Sequence, residues 1–149
     1  MCIYAAAVLM WALTAARCVD VKLETGTMVG AKASAEEAVR LYHQRFNEER
    51  FSDIFDSSDA AFRTAASRAD TINRMKEDRV RLGRIVETEV VGASCIPFQI
   101  RLVIHSKYER SNFTEFFLFR IRGARADLLR YERTEGLIIP SSDSLQKCP

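Results

Sequence analysis

A chain of 149 residues with 48% hydrophobic and 28% charged residues has the composition of an ordinary globular protein, which excludes a fibrous or intrinsically disordered chain. A formal charge of +2 is too small to draw a polyanionic partner by charge alone, and the excess of arginine over lysine, 17 to 5, is weak evidence for phosphate recognition. The length suits one domain.

The chain opens with MCIYAAAVLMWALTAA, an uncharged apolar run shorter than the roughly 20 residues a helix needs to cross a bilayer, so no integral membrane span is expected. Its length fits the apolar region of a secretory signal, and Thr14 and Ala16 are small residues where a signal peptidase reads. Residues 1–16 are therefore expected to be a signal peptide cleaved after Ala16, giving a periplasmic or secreted product. The positive start of such a signal is missing from Met1 to Tyr4. A lipid anchor on Cys18 is the alternative, although the bulky Arg17 stands where a lipobox carries a small residue; an uncleaved N-terminal helix is the third reading. Residues 17–33 contain two glycines and no helical stripe, which predicts a flexible leader.

The domain is expected over residues 34–136. In SAEE, Ser34 and Glu37 have capping-box spacing, and Ala38, Leu41, Tyr42 and Phe46 then recur at helical intervals. Phe51, Ile54 and Phe55 predict a short second helix ended by the Asp56–Asp59 cluster, and AAFRTAA is a connector. A third helix starts near Ser67, which SRAD offers as a cap, and runs through Ile72, Met75, Val80 and Leu82 to Gly83. Beyond Gly83 the period falls to two. RIVETEVV is one strand, and Phe98, Ile100, Leu102 and Ile104 alternate with Gln99, Arg101, Val103 and His105 in a second. FTEFFLFRIR places Phe113, Glu115, Phe117, Phe119 and Ile121 on one face of a third, and ADLLRYER is the fourth. This order predicts an α+β fold, N-terminal helices packed on a curved four-stranded antiparallel sheet, followed by a C-terminal tail at 137–149.

Loss of the signal would remove Cys2 and leave Cys18, Cys95 and Cys148, an odd number. Cys18 and Cys148 lie near the two ends of the mature chain and form the candidate disulfide if the termini approach each other; the alternative is that none is paired.

The helix AVRLYHQRF, the segment RVRLGRIVETEV and the closing pair TEFFLFRIRGARADLLRYE together resemble bacterial exported domains of unknown function in the cystatin-like, nuclear-transport-factor-2-like superfamily. The closing pair carries most of the likeness: Glu115 entering an aromatic strand with Phe117 and Phe119, a turn at Gly123, and a strand ending in Tyr131. The resemblance implies a cystatin-like cone, or half-barrel, whose concave face is closed by helices and can hold a pocket. It leaves activity open, because that superfamily includes isomerase-like enzymes as well as binding and association domains.

A ketosteroid isomerase-like enzyme needs a carboxylate base and an oxyanion donor in an apolar cavity. Tyr42, Asp53, Asp59, His105, Glu115 and Tyr131 have suitable side chains, but Tyr42 belongs to the helical stripe and the aspartates read as caps. Cys95 with His105 lacks any nucleophile motif. No metal site or cofactor is expected, since only His43 and His105 are available and no Cys or His pair has ligand spacing. FFLFRIRGAR interleaves aromatics with arginines but lacks the glycines of the sheet motif that binds single strands, so no nucleic acid partner is expected. The expected function is an exported, non-enzymatic binding or association domain. It would use the concave sheet face for a small apolar ligand, a protein partner or a second copy in a homodimer, with the isomerase-like pocket enzyme as the alternative. The candidate ligand-binding residues are Tyr42, Arg101, His105, Glu115 and Phe117. In a pocket protein these five should converge on a cavity; in an association module that space should be filled by side chains.

Overall fold

The computed structural model describes residues 25–138 and residue 148. Four helices, α1 (Thr25–Asn47), α2 (Phe51–Ser57), α3 (Ala60–Ala65) and α4 (Arg68–Leu82), precede four strands, β1 (Ile85–Ile96), β2 (Gln99–Tyr108), β3 (Asn112–Arg122) and β4 (Arg125–Glu135). The strands form one open antiparallel sheet in the order β1-β2-β3-β4, with the helices packed on one face, so the fold is α+β. No described helix is long and apolar enough to cross a membrane. The expected signal peptide, its cleavage after Ala16, and the lipid-bearing Cys18 lie outside the described residues.

Helix α1 begins at Thr25, upstream of the expected start at Ser34, so residues 25–33 are helix and not flexible leader. Ser34 is interior, and its hydroxyl donates to the Gly30 carbonyl one turn back (2.9 Å) instead of capping. The stripe that α1 buries runs through Ala31, Ala35, Val39, Tyr42 and Phe46, with His43 beside it. It is displaced from the predicted one, which had Ala38 and Leu41, and it reaches two turns further back, to Ala31. The predicted connector is the short helix α3, capped by Asp59, whose carboxylate accepts from the Ala61 amide (2.9 Å). Ser67 caps α4 as expected, accepting from the Asp70 amide (3.1 Å). Gly83 ends α4 at φ 81, ψ −159, a conformation that only glycine adopts readily.

Two-residue turns join β1 to β2 through Pro97 and Phe98, and β3 to β4 through Gly123 and Ala124. Across β2 and β3, Ile100 faces Phe119, Leu102 faces Phe117 and Ile104 faces Glu115. These residues line the helix-covered face and pack against the α1 stripe and against Phe51 and Ile54 of α2. Burying this many aliphatic and aromatic side chains, each worth about 1.5–3 kcal/mol, holds the two layers together.

Strand β1 runs further than RIVETEVV and includes Cys95, which joins Cys148 in a disulfide with Cα atoms 5.0 Å apart. The expected Cys18–Cys148 pairing is thereby corrected. The extended strand carries Cys95 to the hairpin end of β1, where Cys148 reaches it. The bridge also removes Cys95 as a candidate nucleophile, since a disulfide sulfur carries no thiolate.

Candidate functional site

The period-two pattern of β3 sends Glu115 toward the helices, and the fold buries it completely: it is 0% exposed. Four donors surround it. On one carboxylate oxygen, Oε2, the His43 ring Nε2 lies at 2.8 Å and the Ser106 hydroxyl donates at 2.5 Å. On the other, Oε1, the hydroxyls of Tyr108 and Tyr131 donate at 2.7 and 2.6 Å. A carboxylate has about four lone-pair positions, and all are in use.

Burial by itself would raise the Glu115 carboxyl; the electrostatic influence of the His43 ring and hydrogen bonds from His43, Ser106 and Tyr131 outweigh it and hold the group down at about 2. Tyr42, Tyr108 and Tyr131 move the other way, pushed well above the ordinary phenol range by burial and then by the negative charge of Glu115. The network is therefore an ionised carboxylate clasped by protonated hydroxyls. Behind it, Arg133 lies over the Phe113 ring (4.8 Å to its centre) and pairs with Asp78 of α4 (2.7 Å), tying strand to helix.

Of the five residues proposed from sequence, the structure brings together Tyr42, Glu115 and Phe117. Tyr42 and Phe117 meet edge to face with ring centres 5.2 Å apart, and both are packed in the core. Arg101 and His105 do not join them. The alternation of β2 sends both to the opposite face of the sheet, where Arg101 stands beside Phe116, Leu118, Arg130 and Glu132, and the His105 ring Nε2 lies 3.0 Å from the Ile138 carbonyl. His43, Ser106, Tyr108 and Tyr131 take their places. Ser106 and Tyr108 simply continue the Ile100, Leu102, Ile104 alternation by two more steps, and His43 follows Val39 by four residues on the buried stripe.

The other carboxylates named from sequence are occupied as well. Asp53 pairs with Arg50 at 2.5 Å. Asp59, besides capping α3, accepts from Arg120 (3.1 Å) and Arg122 (2.8 Å), so the arginines of FFLFRIRGAR are partly neutralised by an acid whose side chain is 1% exposed. No group of three or more His, Cys, Asp or Glu side chains placed to hold a metal ion occurs among the described residues.

An open groove reaches the network at Tyr131. It has a volume of about 320 Å³ and lies between α3, α4 and β4. Phe62, Ala65, Ala66, Met75 and Leu129 make apolar walls, Tyr42 and Tyr131 form the floor, and Arg74, Asp78 and Arg130 stand among the lining residues.

Neither a family model nor a curated protein matches the chain. Among solved structures, it is similar to the solution structure of a SEC-C motif containing protein from Rhodopseudomonas palustris, at 16% sequence identity and a TM-score of 0.53, over 72% of this chain and 87% of that one. At that identity the likeness concerns the fold alone. The result corrects the resemblance drawn from sequence: the structural neighbour is a SEC-C motif protein, and no match supports the cystatin-like, nuclear-transport-factor-2-like superfamily. The motif that carried the resemblance has a structural explanation instead. Glu115, Phe117, Phe119 and Tyr131 are inward-facing positions of the β3–β4 hairpin: the aromatic residues follow the apolar-in alternation common to antiparallel pairs with one covered face, and Glu115 is held among them by its four donors.

Proposed function

We propose that the protein is an exported, non-enzymatic binding domain that takes a small apolar ligand in the groove between α3, α4 and β4. The observation that carries this reading is the groove itself: apolar walls around Tyr131, whose hydroxyl is committed inward to Glu115, and Tyr42, whose hydroxyl is hydrogen-bonded to Tyr131. A floor of that kind presents mainly aromatic rings to a ligand, which favours apolar over polar ligands. The volume of about 320 Å³ is at the lower end of ordinary ligand sites.

The state of Glu115 argues against the isomerase-like alternative. A general base works best with a proton affinity near the working pH, and a carboxylate held at about 2 with every lone pair occupied has neither affinity nor a free position for a proton from a carbon acid. Export is supported by the Cys95–Cys148 bridge, since structural disulfides persist in oxidising compartments, and by the apolar N-terminal stretch.

The test is titration of the folded protein with Nile red, a neutral apolar dye. The expected result is saturable fluorescence enhancement that is lost when Ala66→Trp fills the groove without lowering the melting temperature. Absence of enhancement, or enhancement unchanged by Ala66→Trp, overturns the reading.

A further inference from the structure

On the other side of α1, away from the proposed groove, a second pocket of about 240 Å³ opens between α1, α2 and the start of β4. Its floor is apolar, with Leu41, Ile54, Phe119 and Leu128 among the contributors. Four charged side chains line it, and three of them are already matched. Glu37 is held by Arg40 through two contacts of 2.7 and 2.5 Å. Arg125 is paired with Asp127 at 2.8 Å.

The fourth, Arg45, is different. It is half-buried in the last turn of α1, and its Nη1 donates to the Ser57 hydroxyl at 2.7 Å, which fixes the guanidinium against the C-terminal end of α2. Among the described residues it has no carboxylate partner, and its guanidinium is open to the pocket beside the single bond to Ser57. A guanidinium is a planar fork of donors suited to a carboxylate, and a cation next to an apolar floor gains most from an anion that brings its own hydrocarbon.

We infer that this pocket is a binding site for a small amphipathic monocarboxylate, with the carboxylate on Arg45 and the hydrocarbon over Leu41, Ile54, Phe119 and Leu128. Hexanoate, one carboxylate on a five-carbon alkyl chain, is a simple ligand of this class. The site is distinct from the groove between α3, α4 and β4, and the two share only Tyr42 in their linings.

The experiment is a titration of the isotope-labelled protein with sodium hexanoate, followed by amide chemical shifts and repeated with 1-hexanol and with sodium chloride. The expected result is saturable shifts at Ser57, Leu41 and Leu128, with hexanol binding about tenfold more weakly because it lacks the charge. Arg45→Met keeps the alkyl stem and removes the guanidinium, and it should weaken hexanoate about tenfold while leaving hexanol unchanged. Equal binding of hexanol and hexanoate, unchanged hexanoate affinity in Arg45→Met, or shifts confined to Ala66, Met75 and Leu129 would each overturn the assignment. A melting temperature for Arg45→Met within a few degrees of the parent shows that the variant is folded. Nile red binding in the other groove should be indifferent to it, so the two proposals stand or fall separately.

Discussion

At the scale of single residues, Glu115 decides the chemistry of the interior. Its ordinary carboxyl value of 4.5 falls to about 2 in the folded protein, so the unfolded chain binds the proton more tightly. The stability this contributes is fully present above pH 4.5, declines as the pH falls toward 2 and is gone below that. Acid titration of the fold by circular dichroism should show this loss between pH 4.5 and 2, and Glu115→Gln should abolish most of the pH dependence in that window. At neutral pH the same substitution leaves His43 and three hydroxyls around a neutral amide and is expected to cost about 3–5 kcal/mol in urea denaturation. A loss under 1 kcal/mol would show that the network is not holding the sheet to α1. Glu115 was visible in the sequence as an acid on an aromatic face, but its donors come from α1, β2 and β4. Their convergence depends on strand register, which no local pattern states.

At the scale of elements, two glycines show why the same substitution has opposite effects. Gly83 sits at φ 81 at the end of α4, and a Cβ there would overlap the side chain of Glu109, whose carboxylate accepts from the Arg84 amide (3.0 Å). Gly83→Ala combines backbone strain with that clash and should destabilise by about 2 kcal/mol or more. Gly30 lies within α1 with open space around a Cβ, and Gly30→Ala should stabilise by about 0.5–1 kcal/mol. Matched denaturation curves of the two variants check both signs. The Gly83 stop was legible because glycine followed by a change of period has few other meanings. The start of α1 was not: SAEE has the composition of a cap whether or not a helix already runs through it, and the buried alanines that extend it show their role only against the sheet.

At the scale of the whole molecule, the Cys95–Cys148 bridge closes the chain across the entire sheet. The two cysteines are 53 residues apart, and the loop-entropy relation assigns such a closure about 4 kcal/mol. Cys148→Ser, or reduction with dithiothreitol, should lower stability by about 2–4 kcal/mol, whereas Cys18→Ser should leave it unchanged. A melting temperature that responds to Cys18→Ser and not to Cys148→Ser would contradict the pairing. The bridge also anchors residue 148 beside the hairpin end of β1, while Ile138 stays near His105 and Thr114 on the opposite face of the sheet.

The sequence by itself determined the helices-then-strands order, the antiparallel meander and the identity of most core residues. Each of these follows from periodicity and end signals that act over a few residues. Only the tertiary structure decided which side chains meet. It put Arg101 and His105 behind the sheet and His43, Ser106, Tyr108 and Tyr131 around Glu115. It paired Cys148 with Cys95 and left Arg45 at the edge of an apolar pocket. These outcomes depend on register, on which helix face turns inward and on where distant chain segments come together, and all three are settled by packing across the whole domain.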